Sequence, residues 1–224
     1  MVELINRQIC FRLAASASLP CAPLRLRDGQ AEALSELLQA FACGEESAAL
    51  AFASLGRSPL GVAARRGIAR IAQEELIHER LLRGLRCALP PPALDREMRR
   101  ALVRFYHGIA QANVGLHLAS IAALDSAVCL ILSALLAPNR VLAQEPTVAS
   151  IFRRIHRDEA GHVRLSRRIA AELVRGDVGR TVAERARLGL AGVLARRGAA
   201  FESLGIDSGQ LFLRIGRVPD GLFR

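Results

Sequence analysis

The sequence predicts an all-α protein in a single domain over 1–224, with four long helices followed by a fifth. Past the first 27 residues, apolar residues recur at steps of three and four, and strand-like alternation is rare. Ala, Leu, Arg and Glu, all good helix formers, dominate the composition. The 224 residues are 51% hydrophobic, which excludes a disordered chain and suffices for a substantial core. We expect an N-terminal extension over 1–27, a four-helix unit over 28–175, and a fifth helix with a tail over 176–224.

The first two helices are separated by a Ser-Pro pair. The apolar positions predict a first helix from about Asp28 to Leu55. Ser58-Pro59 predicts the start of the second, because serine is a good N-cap and proline is tolerated at the first helical position. This helix continues to about Cys87, and the prolines at 90–92 interrupt the chain beyond it.

The third helical stretch is too long to be one straight helix. Asp95 can cap a stretch from Arg96 to Ala137 that contains no firm stop signal. Its 42 residues would span about 63 Å, roughly twice the height of a compact bundle. We therefore expect a kink or break between His107 and Gly115.

Two further helices complete the pattern. Glu145-Pro146 predicts the start of a fourth helix that reaches about Arg175, where a glycine-containing turn follows. Thr181, with Glu184 three residues later, predicts a capping box for a fifth helix that ends near Ala200. The tail beyond it is weakly patterned.

The net charge of +10 carries less information than its size implies. All 31 basic residues are Arg, and such an excess arises either from a nucleic-acid partner or from Arg replacing Lys throughout an Ala-rich chain. We favour the second explanation, so a nucleic-acid partner is disfavoured. Five scattered Cys without a CxxC pair favour reduced thiols in a cytoplasmic protein. Polar residues interrupt the only long uncharged run, Phe105–Leu124, so no membrane span is expected.

Two Glu-x-x-His motifs lie in separate predicted helices. Glu75 and His78 lie in the second helix, and Glu159 and His162 lie in the fourth. Positions i and i+3 share a helix face, so each pair can converge on one ion. Apolar residues continue the same face on both sides of each pair, which places these polar groups in the core, where an unpaired charge is costly.

The other two long helices each carry a carboxylate on an apolar stripe. Glu45 is in register with Phe41 in the first helix, and Asp125 is in register with Ile121 in the third. Glu46 is the competing first-helix candidate, and we favour Glu45. Four carboxylates and two imidazoles predict a site for two metal ions, whose charge would neutralise four buried anions. The alternative, in which these acids pair with arginines inside a polar bundle, is disfavoured.

This set of residues resembles the ferritin-like superfamily of di-iron carboxylate proteins. The 30-residue interval from Glu45 to Glu75, the 34-residue interval from Asp125 to Glu159 and the segment Arg157–His162 carry the resemblance. That segment is similar to the fourth-helix motif of the ribonucleotide reductase small subunit and of bacterioferritin. The layout also resembles aldehyde-deformylating oxygenase and a tRNA-modifying di-iron hydroxylase. The resemblance implies a four-helix bundle with a long crossover between helices 2 and 3 and an added C-terminal helix.

The resemblance also implies a ligand set. The ligands would be Glu45, Glu75, His78, Asp125, Glu159 and His162. Glu75 and Glu159 would be the bridging or flexible carboxylates and the catalytic residues. Asp158 would accept a hydrogen bond from His78; the alternative is a surface acid that pairs with Arg154 or Arg157. Asp125 stands where the family more often has Glu, so the third helix must approach the metals more closely or the site is looser there.

The implied activity is that of a non-haem di-iron oxygenase or oxidase. Such a protein uses dioxygen to oxidise a small organic substrate by hydroxylation, N-oxygenation or oxidative cleavage. It would hold two iron ions (Fe/Fe, with Mn/Fe as the alternative), take electrons from an external donor, and act as a monomer or homodimer. A radical-generating subunit is disfavoured, because Leu82 follows His78 by four residues and the only tyrosine, Tyr106, is expected far from the site. An iron-storage protein and a tRNA hydroxylase remain alternatives.

Several other residues near the predicted site have two interpretations. His117 is an extra ligand or a satisfied core histidine, and we favour the second; His156 is a near miss for a third His ligand or a solvated residue. Cys129 is predicted to be a buried structural thiol rather than a cavity residue. Small residues near the ligands predict either room for a substrate or tight packing of helices; they are Ala48, Ala49, Ala122, Ala123, Ala160 and Gly161.

Overall fold

The computed structural model describes residues 24–91 and 95–223, and every regular element in those ranges is a helix. The all-α prediction is therefore confirmed, whereas most of the predicted extension over 1–27 lies outside the described residues. The helices are α1 (Asp28–Leu55), α2 (Val62–Arg86), α3 (Arg96–Ile109), α4 (Val114–Leu135), α5 (Val141–Gln144), α6 (Pro146–Leu173), α7 (Gly176–Leu194), α8 (Gly198–Ser203) and α9 (Ser208–Gly216), with a 3₁₀ turn at Ala195–Arg197.

The predicted break in the third stretch is confirmed. Helix α3 ends at Ile109 and α4 begins at Val114, where the Asn113 side chain accepts a hydrogen bond from the Leu116 N–H. Asp95 caps α3 as expected, through its contact with a first-turn N–H. These caps satisfy N–H groups that have no partner within the helix.

Two predicted helix starts were wrong. Helix α2 begins at Val62 instead of Ser58, because the Ser58 carbonyl accepts from the Leu60 N–H in a turn. Helix α7 begins at Gly176, and Thr181 lies inside it with its hydroxyl bonded to the Asp177 carbonyl. The fifth helix was predicted to end near Ala200, but α7 ends at Leu194 and the separate short helix α8 follows it. Helix α9, in the weakly patterned tail after Gly205, was not predicted.

Two apolar clusters fix the directions of the four long helices. The first core cluster joins the beginning of α1 and of α6 to the ends of α2 and α4. The second joins the opposite ends of the same helices, through residues such as Phe52, Ile68, Leu118 and Ile169. Hence α1 is antiparallel to α2, and α4 is antiparallel to α6. The end of α2 and the start of α4 lie at opposite ends of the bundle, so the connection over 87–113 runs along its length.

Helix α3, within this connection, covers a gap in the bundle. Helix α1 packs along α2, and α4 packs along α6, but α1 and α4 have no comparable contact with each other. Helix α3 lies against α1 and against α7, and α7 lies along α4. The gap between α1 and α4 is therefore closed by α3 and not by direct helix packing.

Helix α4 is the most apolar helix described. By length and composition alone it could cross a membrane, but 67% of its most apolar window is buried inside the fold. It packs against α6 on one side and α7 on another. That environment explains its composition as the core helix of the bundle.

A fully buried arginine ties the C-terminal helices to α4. Arg187 of α7 donates to the carbonyl oxygens of Ala123 and Ile215 and to the Ser126 hydroxyl. The α4 contacts lie on either side of Asp125 in the sequence, so this arginine holds the helical turn that presents that carboxylate. The signal was present in the sequence, because Arg187 is in register with Ala183, Leu190 and Leu194 on the apolar stripe of α7.

Replacing Arg187 with Met should destabilise the fold by about 2–4 kcal/mol, because two buried carbonyl oxygens would lose their donors. Arg185→Met, two residues away on the exposed face of α7, is the matched control and should change stability by less than about 0.5 kcal/mol. Urea unfolding measures both variants. Equal stability of the two would contradict the structural role of Arg187.

Candidate metal centre

The six residues predicted as ligands all come together in one buried layer. At most 7% of any of these residues is accessible to solvent. Helices α1, α2, α4 and α6 each contribute a carboxylate, and α2 and α6 each add a histidine. We call this set the acid–histidine cluster: Glu45, Glu75, His78, Asp125, Glu159 and His162. It lies between the first and the second core clusters, because its residues occupy the middle of each helix.

The cluster divides into two groups of possible ligand atoms. Glu45, Glu75, His78 and Glu159 form one group, and Asp125, Glu159 and His162 form the other, with the ligand atoms of each group within 4.8 Å of one another. Glu159 belongs to both. In the first group, Nδ1 of His78 lies 3.3 to 3.4 Å from one oxygen each of Glu45, Glu75 and Glu159. Three carboxylates around one nitrogen is the arrangement expected where all four atoms face a common cation.

Several cluster atoms have no hydrogen-bond partner. Both carboxylate oxygens of Glu75, one oxygen of Asp125 and Nδ1 of His162 are buried and have no hydrogen-bond partner among the described residues. Nδ1 of His162 lies 3.1 Å from Glu75 Oε1 but is not aligned for a hydrogen bond. Buried groups without partners are costly, and a metal ion would satisfy all of them at once. The donor set of carboxylates and imidazoles fits two divalent cations, so these residues could hold a metal ion.

The outer nitrogen of each histidine contacts a carboxylate on the opposite helix. Nε2 of His78 lies 3.2 Å from Asp158 Oδ2, as the resemblance implied. Nε2 of His162 lies 3.0 Å from Glu74 Oε2 in the same way, and this partner was not predicted. The signal was present, because an acid precedes the glutamate of both motifs, as Glu74-Glu75 and Asp158-Glu159. Such contacts fix the tautomer and leave each Nδ1 free to face the cluster.

The other candidates lie outside both groups. Glu46 is half-buried on the face of α1 toward Glu79, not toward the cluster. His117 accepts a hydrogen bond from the Gln111 N–H, and His156 contacts the Ser133 hydroxyl. Glu45 is therefore the acid that α1 contributes to the cluster.

Electrostatics within the cluster show that it retains protons when no metal is bound. Burial raises the pKa of both Glu45 and Asp125 well above the ordinary carboxyl value, with neighbouring carboxylates adding to the effect. Burial opposes ionisation of Glu75, yet His162 and His78 lower its pKa to about 2. Burial opposes protonation of His162, but Glu159 and Glu75 overcome this effect and raise its pKa to about 11. Metal ions would displace these protons.

A cavity of about 120 Å³ opens directly onto the cluster. Its walls include all four cluster carboxylates, and most of the other lining residues are apolar side chains of α1, α3, α4 and α7. Of the small residues predicted to leave room, only Ala48 lines it; the space comes instead from Ala40, Gly44 and Ala51 of α1. Ala49, Ala122 and Ala123 do not line the cavity and are buried in the packing between helices.

The prediction that Tyr106 lies far from the site was wrong. Its hydroxyl oxygen is 3.0 Å from the position that a Cβ on Gly44 would occupy, and its side chain lines the cavity together with Glu45. Burial, together with the charges of Cys43, Glu45 and Asp125, raises the pKa of this phenol above its usual range. The spacing with Leu102 and Ile109 was the available signal, since all three face one side of α3.

No protein-family model matches this chain, and no curated protein or solved structure is similar enough to be matched. The resemblance to di-iron carboxylate proteins therefore stays a prediction. The chemistry of the cluster follows from the residues and distances described above.

Removing the outer carboxylates should weaken metal binding by about 10- to 100-fold each, because the histidine rings would lose their fixed orientation. The variants are Asp158→Ala and Glu74→Ala, and competition with a chromophoric chelator for Co²⁺ measures the affinity. Glu172→Ala, an exposed acid on α6, is the control and should bind like the unmodified protein. Unchanged affinity in both outer variants would contradict their role.

The metal-free protein should become less stable as the pH rises from about 6 to about 9. His162 has a folded pKa of about 11 against an unfolded value of 6.5, so the folded state binds more protons across this window. The raised pKa values of His78, Glu45 and Asp125 act in the same direction. The lowered pKa of Glu75 matters only below about pH 4.5.

Urea unfolding of chelator-treated protein across this range measures the trend. With saturating Zn²⁺ the trend should reverse, because metal competes with protons for the same atoms. Metal-free protein that gains stability with rising pH would contradict the expected proton retention.

Proposed function

We propose that the acid–histidine cluster binds two iron ions and that the protein uses dioxygen to oxidise a small organic substrate held in the adjacent cavity. The observation that carries this proposal is the position of the cavity. Its walls contain Glu45, Glu75, Asp125 and Glu159, so a molecule inside it would touch the same carboxylates that would hold the metals.

The apolar character of the cavity favours substrate oxidation over the two alternatives. An iron-storage site needs a polar route for hydrated ions, and the lining residues offer little of one. A tRNA hydroxylase must admit a charged nucleotide, whereas no arginine in the described part of the chain lines the cavity. A mostly apolar pocket with a few polar groups is the usual form of a small-molecule site.

Each residue of the cluster has a role in this proposal. A bound pair of iron ions would supply the reduction of dioxygen and the oxidising power. Glu159, which belongs to both ligand groups, and Glu75, which lies near both histidines, would be shared between the ions. Glu45 and Asp125 would each serve one ion. The apolar walls would exclude water from the reaction.

The chain direction is a second line of support. Two antiparallel helix pairs joined by a connection that runs the length of the bundle is the topology implied by the resemblance to ferritin-like di-iron proteins. Under the proposal the reaction draws electrons from an external reductant or a donor protein in the cytoplasm. The preference for Fe/Fe over Mn/Fe comes from that resemblance.

Metal analysis and oxygen uptake test the proposal. Protein from iron-supplemented cells should contain about two irons per chain, and anaerobic Fe²⁺-loaded protein should consume dioxygen on mixing and develop the absorption of a carboxylate-bridged diferric centre. Glu75→Ala and Glu45→Gln should lose both properties. Glu46→Gln, which changes the neighbouring acid outside the cluster, is the matched control and should keep both.

Three outcomes would overturn the proposal. Near-zero iron in the purified protein would indicate that the cluster has only a structural role. Equal iron content and oxygen uptake in Glu75→Ala would remove the cluster from the chemistry. A large hollow assembly by size-exclusion chromatography, with iron far above two per chain, would indicate storage.

A further inference from the structure

The two groups of possible ligand atoms are held in different ways. We call them the Glu45 position (Glu45, Glu75, His78 and Glu159) and the Asp125 position (Asp125, Glu159 and His162). A histidine nitrogen lies within 3.4 Å of an oxygen of each glutamate, but Asp125 forms no ion pair with a histidine among the described residues. A ligand oxygen must lie within about 0.2 Å of its ideal distance from an ion. The α4 backbone therefore decides whether this short side chain can serve as a ligand.

The α4 backbone is fixed on both sides of Asp125 by one buried arginine. Nη1 of Arg187 donates to the Ala123 carbonyl oxygen at 3.1 Å and to the Ser126 hydroxyl. The Ser126 hydroxyl in turn donates to the Ala123 carbonyl oxygen at 2.8 Å, so the three groups form a closed set. Asp125 lies between Ala123 and Ser126 in the sequence. The backbone that carries its side chain is thus held at two points.

The same guanidinium caps the end of α9. Its Nε donates to the Ile215 carbonyl oxygen at 2.7 Å, and its Nη2 donates to the Arg214 carbonyl oxygen at 3.1 Å. Both carbonyls belong to the last turn of α9, where carbonyl groups have no α-helical partner. A cation at this end of a helix also interacts favourably with the helix dipole. Docking of α9 and placement of the Asp125 backbone therefore depend on one side chain.

The contacts of Arg187 are directional and involve no opposite charge. The residue is fully buried, and no carboxylate among the described residues forms an ion pair with it. Burial lowers the pKa of its guanidinium to about 10, so the group stays charged at neutral pH. A planar fork of five N–H groups can serve acceptors on two helices at once, whereas a lysine ammonium carries three donors on a single atom. The geometry of the fork therefore matters more than its charge.

We propose that Arg187 is a positioning residue for the Asp125 position and that it couples the docking of α9 to the binding of an ion there. The Glu45 position takes no ligand from α4 and does not depend on this arginine. Because coupling between two sites is reciprocal, an ion at the Asp125 position also holds α9 in place. This inference rests on the two-ion part of the proposed function and requires no dioxygen chemistry.

Stepwise Co²⁺ titration of the full chain tests the positioning role. Visible absorption counts the bound ions, and competition with a chromophoric chelator gives the affinity of each. The unmodified protein should bind two ions. Arg187→Lys keeps a charge without the fork, and should weaken one ion by about 10- to 100-fold while leaving the other unchanged. Ser126→Ala should weaken the same ion by a smaller factor, and Asp125→Ala, which removes the ligand itself, identifies that ion.

Two controls separate positioning from stability. Arg185→Met removes an exposed arginine of α7 and should bind both ions like the unmodified protein. Leu34→Ala leaves a cavity in the first core cluster, so it should lower the stability of the fold but keep both affinities. Circular dichroism confirms that each variant is folded during the titration. The milder Ser126→Ala variant decides the question if Arg187→Lys does not fold.

Hydrogen exchange tests the coupling to α9. Exchange of the α9 amides should slow by about 10- to 100-fold when the second equivalent of Zn²⁺ binds, and this change should be absent in Asp125→Ala.

The outcomes separate this inference from the proposed function. Arg187→Lys or Ser126→Ala with two unchanged affinities, or α9 exchange that does not respond to the second ion, would overturn the inference. Loss of the same ion in Leu34→Ala would reduce Arg187 to a structural role. The expected titration and exchange results in a protein whose iron-loaded form consumes no dioxygen would support the inference and overturn the proposed function alone.

Discussion

The burial of four carboxylates in one layer is the constraint on which the rest of the structure depends. In a low-dielectric interior these groups repel one another, and without a cation the layer can persist only by retaining protons, as the raised pKa values of Glu45 and Asp125 show. The polar layer divides the interior into two apolar clusters. Those clusters supply the packing that holds the four helices at the distance the layer requires. Stability and site geometry are thus set by the same contacts.

The long connection over 87–113 is the reason that a cavity reaches this layer. Because it runs along the bundle, α1 and α4 need not pack against each other, and α3 can close the gap between them with larger side chains. The space left behind is the cavity, and its walls therefore belong partly to residues of the connection. Tyr106 lies beside the cluster for this reason, although in sequence it is at least 19 residues from every residue of the cluster.

Polar contacts outside the cluster join helices that are distant in sequence. Each histidine is oriented by an acid on the other motif-bearing helix, so α2 and α6 are joined through His78–Asp158 and His162–Glu74. On the far side, a buried arginine joins α4 to α7 and α9. The C-terminal helices are part of the support for the third carboxylate.

The sequence by itself determined the all-helical class, the bounds of α1, the break before α4 and the acids and histidines of the buried layer. These follow from local periodicity and from polar residues on apolar stripes, which act within a few turns of helix. Only the tertiary structure decided that Glu74 faces His162 and that Tyr106 faces the cavity beside Glu45. Each depends on which residues distant in sequence lie opposite one another, and helical periodicity carries no information on that. The cavity is the clearest case, because it exists where two helices fail to meet.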